Sequence, residues 1–311
     1  MLKKIKELFI PQQLLKGNCG IEREMLRVDK NGYLSFTDHP EIFGDKVLNP
    51  YITTDFSESQ VEVITPALDK IEETYSFLKA LYDIVALEIG DEILWPQSMP
   101  CFIPEDDEIP VAKYSEEGRE AEEYRNKLLK KYGGKKQLIS GIHYNYSFNE
   151  EIIRKLYESS DKELTYKEYK NSIYLKVARN YLRYRWIIVY LLGAAPVIHE
   201  SFLNGCSCKL KQISEDGYTL DGAVSHRNGE CGYRNKEELY PNYDTVEDYV
   251  ESINKYVNDG VIDSHKELYS QVRLKAKEPK NFLNSLLEDG ISYLEYRSID
   301  INPFEKGGIS L

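Results

Sequence analysis

An α+β fold with a mostly antiparallel or mixed sheet is what this sequence predicts, on two observations. Stretches with helical spacing of apolar residues come in blocks, and short stretches of polar–apolar alternation lie between them, joined by long connections. The regular strand–helix–strand series that builds a parallel sheet does not appear. A chain of 311 residues, 41% hydrophobic and 30% charged, suits a soluble globular protein with a large core. No shift in composition marks a boundary, so residues 1–311 read as a single domain.

The helices follow from periodicity. Residues 71–89 carry Ile71, Tyr75, Leu78, Tyr82, Val85 and Ile89 on one face, and Gly90 follows as a stop. Residues 117–131 form a charged helix ended by "YGG". Residues 170–195 read as a long helix ending before Pro196. Its tail is apolar all round, which predicts burial in the core. Residues 246–258 form an amphipathic helix closed by Gly260. The proline-rich stretch 94–112 reads as ordered but irregular. Strands are predicted at 20–28, 33–36, 59–65, 138–148 and 291–299.

Several function classes are excluded early. A net charge of −12 argues against a nucleic-acid partner, which needs a Lys/Arg surplus. "MLKKIKELFIPQQ" has no small-residue cleavage site, and the longest apolar run, 186–198, is too short to span a bilayer. The five cysteines are scattered apart from Cys206 and Cys208, whose spacing is tighter than ordinary zinc pairs. Reduced thiols and a cytoplasmic location are expected, with no membrane partner.

Four alternating segments carry the chemistry. In "GIEREML", Glu22 and Glu24 share one strand face, roughly 6–7 Å apart. In "TTDFSESQVEVITP", Asp55 leads into a strand where Glu58, Gln60 and Glu62 oppose Val61 and Val63. In "LISGIHYNYSF", His143, Asn145 and Ser147 oppose Ile142, Tyr144, Tyr146 and Phe148. In "SYLEYRSIDINPF", Glu295 and Arg297 share a face. Any one of these strands by itself reads as a sheet with one side in water. Together their polar faces are rich in carboxylate, His, Asn and Arg, with few basic residues to pair them, so hard divalent cations are the natural compensation. Carboxylates, Mg²⁺ and arginine suggest phosphoryl chemistry. Neither G-x-x-x-x-G-K-[ST] nor a G-x-G-x-x-G after a strand occurs, so a bound nucleotide would be held by metals on a sheet. "GGKKQ" (133–137) reads as a helix-ending turn. A two-metal hydrolase or nuclease shares the carboxylate cluster and differs in lacking nucleotide dependence. A non-catalytic binding protein would keep the fold without turnover.

"GIEREMLRV", "TDFSESQVEVITP", "LWPQSMPCFIP", "YRNKLLKKYG", "QLISGIHYNYSF" and "YLEYRSIDINPF", in that order, resemble the bacterial-type glutamate–cysteine ligases, including the N-terminal module of bifunctional glutathione synthases. The resemblance runs from about residue 16 to the end. It implies a curved antiparallel sheet of the glutamine-synthetase-like carboxylate–amine ligases. It also implies joining of the L-glutamate γ-carboxylate to L-cysteine through a γ-glutamyl phosphate, with ATP as co-substrate and Mg²⁺ or Mn²⁺ as cofactor. Other members of the superfamily use another amine acceptor. By position, Glu22, Glu24, Asp55, Glu62, His143 and Glu295 match the metal platform, with Asn145 beside it. Arg227, Arg297 and Arg125 match the arginines of the transfer site. Phe56, Tyr124, Leu128, Gln137, Tyr233 and Tyr269 match positions that line a cysteine pocket. The resemblance further implies fusion to, or cooperation with, a glutathione synthetase domain, and a large helical portion beyond "DINPF" that these 311 residues do not contain.

Overall fold

The computed structural model describes residues 2–206 and 208–311. Along the chain run α1 (Leu2–Leu8), α2 (Pro11–Leu14), β1 (Gly17–Val28), β2 (Ile52–Thr54), β3 (Gln60–Ile64), α3 (Ile71–Glu88) and β4 (Ile93–Leu94). There follow α4 (Arg119–Tyr132), α5 (Gly134–Gln137), β5 (Ile142–Phe148), α6 (Glu150–Glu158) and α7 (Tyr166–Leu192). The last elements are β6 (Ile198–His199), β7 (Lys211–Gln212), β8 (Gly217–Thr219), α8 (Val246–Asn258), β9 (Val272–Lys275), α9 (Phe282–Asp289) and β10 (Tyr293–Ile299). The main sheet is ordered β2–β3–β1–β5–β10–β9, with β4 paired to one end of β1, and its ladders are all antiparallel. Strands β6, β8 and β7 make a small second sheet. The α+β prediction therefore holds.

Register decides which side chains meet. Glu24 lies opposite Glu62 across β1 and β3, Glu22 opposite His143 across β1 and β5, and Glu295 opposite Asn145 across β10 and β5. Successive side chains alternate, so these polar residues share one face. The other face is apolar: Ile21, Met25, Val61, Val63 and Ile142 pack on Tyr75, Leu78, Leu81 and Val85 of α3. Farther along, Val272, Leu274 and Leu294 pack on Tyr174, Leu175 and Ala178 of α7 and on α8. Each fully buried aliphatic side chain here stabilises the fold by roughly 1.5–3 kcal/mol. Helix ends follow their caps. Thr165 and Glu168 form a capping box on α7, and Thr245 Oγ1 accepts from Asp248 N at 3.0 Å on α8. Gly90, Gly133 and Gly260 all adopt positive φ just past helix ends.

Several expectations are corrected. Residues 33–36 form two isolated bridges, Val28 to Leu34 and Tyr33 to Phe102, instead of a strand. Residues 138–141 are irregular because the polypeptide has just left α5. Strands β2 and β9 and helices α6 and α9 are short and lack a long periodic signal. Glu58 precedes β3 and leaves the polar face, where Lys46 Nζ binds it at 2.7 Å and the backbone N–H groups of His39 and Lys113 donate to it, both at 2.8 Å. The tail of α7 is not buried: Trp186, Tyr190 and Leu191 are 64%, 69% and 67% exposed. A helix apolar all round needs neighbours on every side, and this tail runs past the edge of the core its first half joins. The reading of five reduced thiols also changes. The structure joins Cys206 to Cys231, with Cα atoms 4.6 Å apart, while Cys19, Cys101 and Cys208 are free. Among the described residues no helix is long and apolar enough to cross a membrane.

The exposed α7 tail predicts association of the 311-residue chain in solution, because contiguous apolar surface favours burial. Replacing Trp186 and Leu191 by Glu should lower the light-scattering mass toward the monomer, with each change altering unfolding stability by no more than about 0.5 kcal/mol. An unchanged mass would remove this surface as the cause.

Candidate active site

The polar face of the main sheet forms the floor of a cleft of about 420 Å³, roofed by α4 and by residues 233 and 269. Glu22, Glu24, Asp55, Glu62, His143, Glu295 and Arg297 all line it. So do Arg125, Phe56, Tyr124, Leu128, Gln137, Tyr233 and Tyr269. Of the site residues anticipated from sequence, only Arg227 and Asn145 stand outside the lining. Asn145 reaches in from beneath, its Nδ2 donating to Glu22 Oε1 at 2.8 Å, with its Oδ1 buried and unpartnered. Arg227 approaches from the side, and its Nη1 donates to the carbonyl of Arg297 at 2.7 Å. A second cavity of about 570 Å³, lined by Arg185, Arg227 and Arg234, shares Tyr233 and Tyr269 with the cleft.

The carboxylates fall into two groups. Glu295 is the paired one. Arg297 Nη1 donates to its Oε1 at 2.5 Å and Lys275 Nζ to its Oε2 at 2.8 Å. Burial opposes its charge, but Arg297 and then Lys275 outweigh burial and hold its carboxyl well below the ordinary range. The same arithmetic raises Lys275 and Arg297 against their own burial. At Glu22, burial is overcome by the His143 hydrogen bond, 3.1 Å to Nδ1, so its carboxyl is also lowered.

Glu24, Asp55 and Glu62 are different. Burial raises all three. For Glu24 the charge of Asp55 adds to burial and carries it to about 8. Glu62 is raised well above the ordinary value by burial and then by Asp55, Glu22 and Glu24. Gly141 N donates to Glu24 Oε2 at 2.8 Å, which relieves only part of this. His143 is neutral here, because burial and the Arg297 charge push it down to about 4. Its bond to Glu22 requires the proton on Nδ1, so the Nε2 lone pair faces Glu24 Oε1 at 3.6 Å. A lone pair facing a carboxylate calls for a cation or a proton between them. Oxygen ligands with one imidazole and an orphaned amide oxygen fit a hard divalent cation such as Mg²⁺.

The arginines are held, not free. Arg125 donates through Nε to the carbonyl of Asp55 and through Nη2 to that of Thr54 at 3.3 Å, with Tyr114 stacked 4.8 Å from its guanidinium. Arg227 packs so closely on Gly141 that a Cβ there would overlap its guanidinium, which explains a glycine just before β5. Sequence reasoning missed Arg273 and Lys275, which line the cleft from β9 together with Lys266. Their signal was present: in "VRLK" the basic residues alternate with Val272 and Leu274, but such a pattern also suits a solvated strand. It also missed Glu267, fully buried behind the aromatic roof, where Lys131 Nζ at 2.6 Å and Tyr132 OH at 2.5 Å bind it. Asn235 links this pair to Tyr269, whose ring centroid is 4.3 Å from that of Tyr233.

Comparison with known proteins places the chain in a family. The glutamate-cysteine ligase family matches residues 2–259 and 254–311. A glutathione biosynthesis bifunctional protein from Clostridium perfringens is 45% identical over 312 residues, which is 100% of this chain and 40% of that protein. One from Listeria monocytogenes is 44% identical over 299 residues, or 96% of this chain and 38% of the relative. The chain thus spans about two-fifths of the length of these relatives. Among solved structures, a bifunctional glutathione synthetase from Pasteurella multocida superposes with TM-score 0.84 at 36% identity, covering 96% of this chain and 37% of that one. A glutamate–cysteine ligase from Francisella tularensis in complex with AMP superposes with TM-score 0.85 at 30% identity, covering 95% and 63%. On its sequence and its fold, the chain belongs to the glutamate-cysteine ligase family.

Proposed function

We propose that this chain is the glutamate–cysteine ligase catalytic module, joining the γ-carboxylate of L-glutamate to the amine of L-cysteine with consumption of ATP. The observation that carries this reading is the set of opposed carboxyl groups Glu24, Asp55 and Glu62, all raised by burial, beside Arg297 under an aromatic roof. The relatives named for glutathione biosynthesis, and the ligase solved with AMP, support the nucleotide and the amino-acid substrates. Fusion of those relatives to a synthetase supports a second domain that would consume the dipeptide product.

Each residue has a role in this reading. Glu22, Glu24, Asp55, Glu62, His143 and Glu295 hold Mg²⁺, with Asn145 orienting Glu22. When bound, the cation neutralises phosphate oxygens and draws them onto the sheet. Arg297 faces the transferring phosphoryl charge, Arg227 supports it from outside the lining through the Arg297 carbonyl, and Arg125 fixes the Asp55 turn at the edge of the cleft. Phe56, Tyr124, Leu128, Gln137, Tyr233 and Tyr269 enclose the thiol amino acid and exclude water, with Gln137 fixed by Tyr233 OH at 3.2 Å. Two adjoining cavities suit more than one small substrate held at once.

The direct test is ADP release from Mg-ATP. Release that depends on both glutamate and cysteine supports the reading, and release without amino acids, or none at all, defeats it. Arg297→Lys should cut kcat about 100-fold while the KM for cysteine changes less than about threefold, since lysine lacks the planar fork. A raised KM with kcat unchanged would make Arg297 a substrate-binding residue instead.

The raised carboxyl groups predict a pH dependence. Glu24 binds its proton up to about 8 in the fold but only to 4.5 unfolded. The metal-free fold therefore keeps a proton that the unfolded chain has released, so its stability falls as pH rises between those values. Glu22 and Glu295, whose carboxyls are lowered, act in the opposite sense and withdraw stability only at acid pH. Thermal melts of the metal-free chain should decline from about pH 5 to about pH 8 and should be restored by Mg²⁺ most at the upper end. Glu62→Gln should flatten that decline, stabilise the metal-free fold at pH 8 by about 1 kcal/mol or more, and abolish Mg-dependent turnover. A melt with no pH slope would contradict the charge assignment.

A further inference from the structure

Three cysteines converge away from the acidic cleft. The Sγ atoms of Cys206, Cys208 and Cys231 all lie within 4.8 Å of one another. They come from two separate segments. Cys206 and Cys208 follow the 3₁₀ turn Glu200–Gly205, and Cys231 sits in the loop that carries Arg227 and Tyr233. The other two cysteines stay out of this group: buried Cys19 meets Thr74 Oγ1 at 3.3 Å, and Cys101 is buried in the hydrophobic cluster that also holds Cys231.

A Cys206–Cys231 disulfide accounts for two of the three sulfurs. It gives no reason for the third, nor for the acid beside it: the Cys208 thiol donates to Glu230 Oε2 at 3.2 Å. Three sulfurs gathered at one point make a three-donor set, and Glu230, in contact with Cys208, supplies a fourth donor once its carboxylate turns toward the other two sulfurs. Tetrahedral Zn²⁺ holds thiolates at about 2.3 Å, which separates the sulfurs by about 3.8 Å; the three sulfurs lie within 4.8 Å of one another, and reduction of the Cys206–Cys231 bond frees that pair to open to this spacing. Cys231 belongs to the buried hydrophobic cluster that includes Phe202, Ala195 and Ile198, with Cys206 and Cys208 packed against that cluster. Cys231 is 1% exposed, whereas Cys206 and Cys208 are half-buried. That gradient leaves an entry path for a metal and a closed back wall.

We propose that in the reduced chain Cys206, Cys208 and Cys231, with Glu230 as fourth ligand, bind one Zn²⁺ ion. The site is structural, because four protein ligands leave no open position for substrate. It ties the Arg227–Tyr233 loop to the 3₁₀ turn, and through that loop it fixes the guanidinium that meets the Arg297 carbonyl. Thiolates select a soft cation, whereas the cleft floor of oxygen ligands selects a hard one, so the two sites do not compete for the same metal.

The test uses the full chain purified under a phosphine reductant. Zinc is measured by elemental analysis, and Co²⁺ replaces it as a spectroscopic probe. One equivalent of tightly held zinc is expected, with thiolate-to-cobalt charge-transfer bands and the intense visible bands of tetrahedral cobalt. Cys208→Ser is the decisive variant, since Cys208 takes no part in the disulfide. It should lower cobalt affinity at least about tenfold and weaken the charge-transfer bands, and Glu230→Gln should lower affinity similarly with those bands kept. Zinc below one-tenth of an equivalent in the reduced wild type, or full affinity retained in Cys208→Ser, overturns the site. Metal content is read without turnover, so this outcome is independent of whether the acidic cleft acts as a ligase.

Discussion

The structure depends on carboxyl groups that face one another on the floor of a partly buried cleft. Glu24 and Glu62 are cross-strand neighbours in the central ladder, and Asp55 stands at the turn leading into the same strand. Like charges opposed across a ladder destabilise a sheet, and burial adds to the penalty. Such an arrangement persists only when the rest of the fold over-determines it. Here the opposite face supplies that determination: Met25, Val61, Val63, Leu78 and Val85 are all at or near zero exposure. A one-residue slip of β3 would carry those valines into the polar cleft and the acids into the core. The apolar face therefore holds the acidic face in register.

Charge compensation is uneven, and the unevenness is functional in form. Lys275 and Arg297 converge on Glu295 and leave it ionised. Across the cleft Glu24, raised to about 8, keeps its proton at neutral pH instead, and Glu62 is raised with it by burial and by its acidic neighbours. One side of the cleft is thus charged, and the raised acids of the other side are those that the proposed cation would bind. A cation that displaces protons there gains the attraction of several acids at once, and its affinity rises with pH. His143 sits between the two halves, held neutral, with one nitrogen committed to Glu22 and the other turned toward Glu24.

Precision comes from groups that never enter the cleft. Arg227 can lie against Arg297 only because position 141 has no side chain. Tyr269 is held through Asn235 by the buried Glu267, and Tyr233 is braced between Tyr269 and Gln137. A buried carboxylate bound by Lys131 and Tyr132 is a rigid support, since removing one partner leaves an uncompensated charge. The roof over the cleft is accordingly built in two layers, aromatic rings in front and a polar network behind.

Period-two spacing carried much of the site in the sequence. Two residues apart on a strand means one face, so spacing alone puts Glu22 with Glu24, His143 with Asn145, and Glu295 with Arg297. The long helices were legible for the same local reason, and α3 and α8 fall where their apolar spacing puts them. What stayed hidden depends on which distant segments become neighbours. Nothing local marks Lys275 as the partner of Glu295, Glu58 as the partner of Lys46, or Gly141 as the seat of Arg227. The tail of α7 shows the same limit from the other side: its sequence states that it is apolar, while exposure depends on what packs beside it. The sequence by itself determined the faces, because side-chain direction along a strand or helix is fixed by backbone geometry. Only the tertiary structure decided the pairings, because ion pairs, close approaches and shared thiol sites form between residues that chain closure, not spacing, brings together.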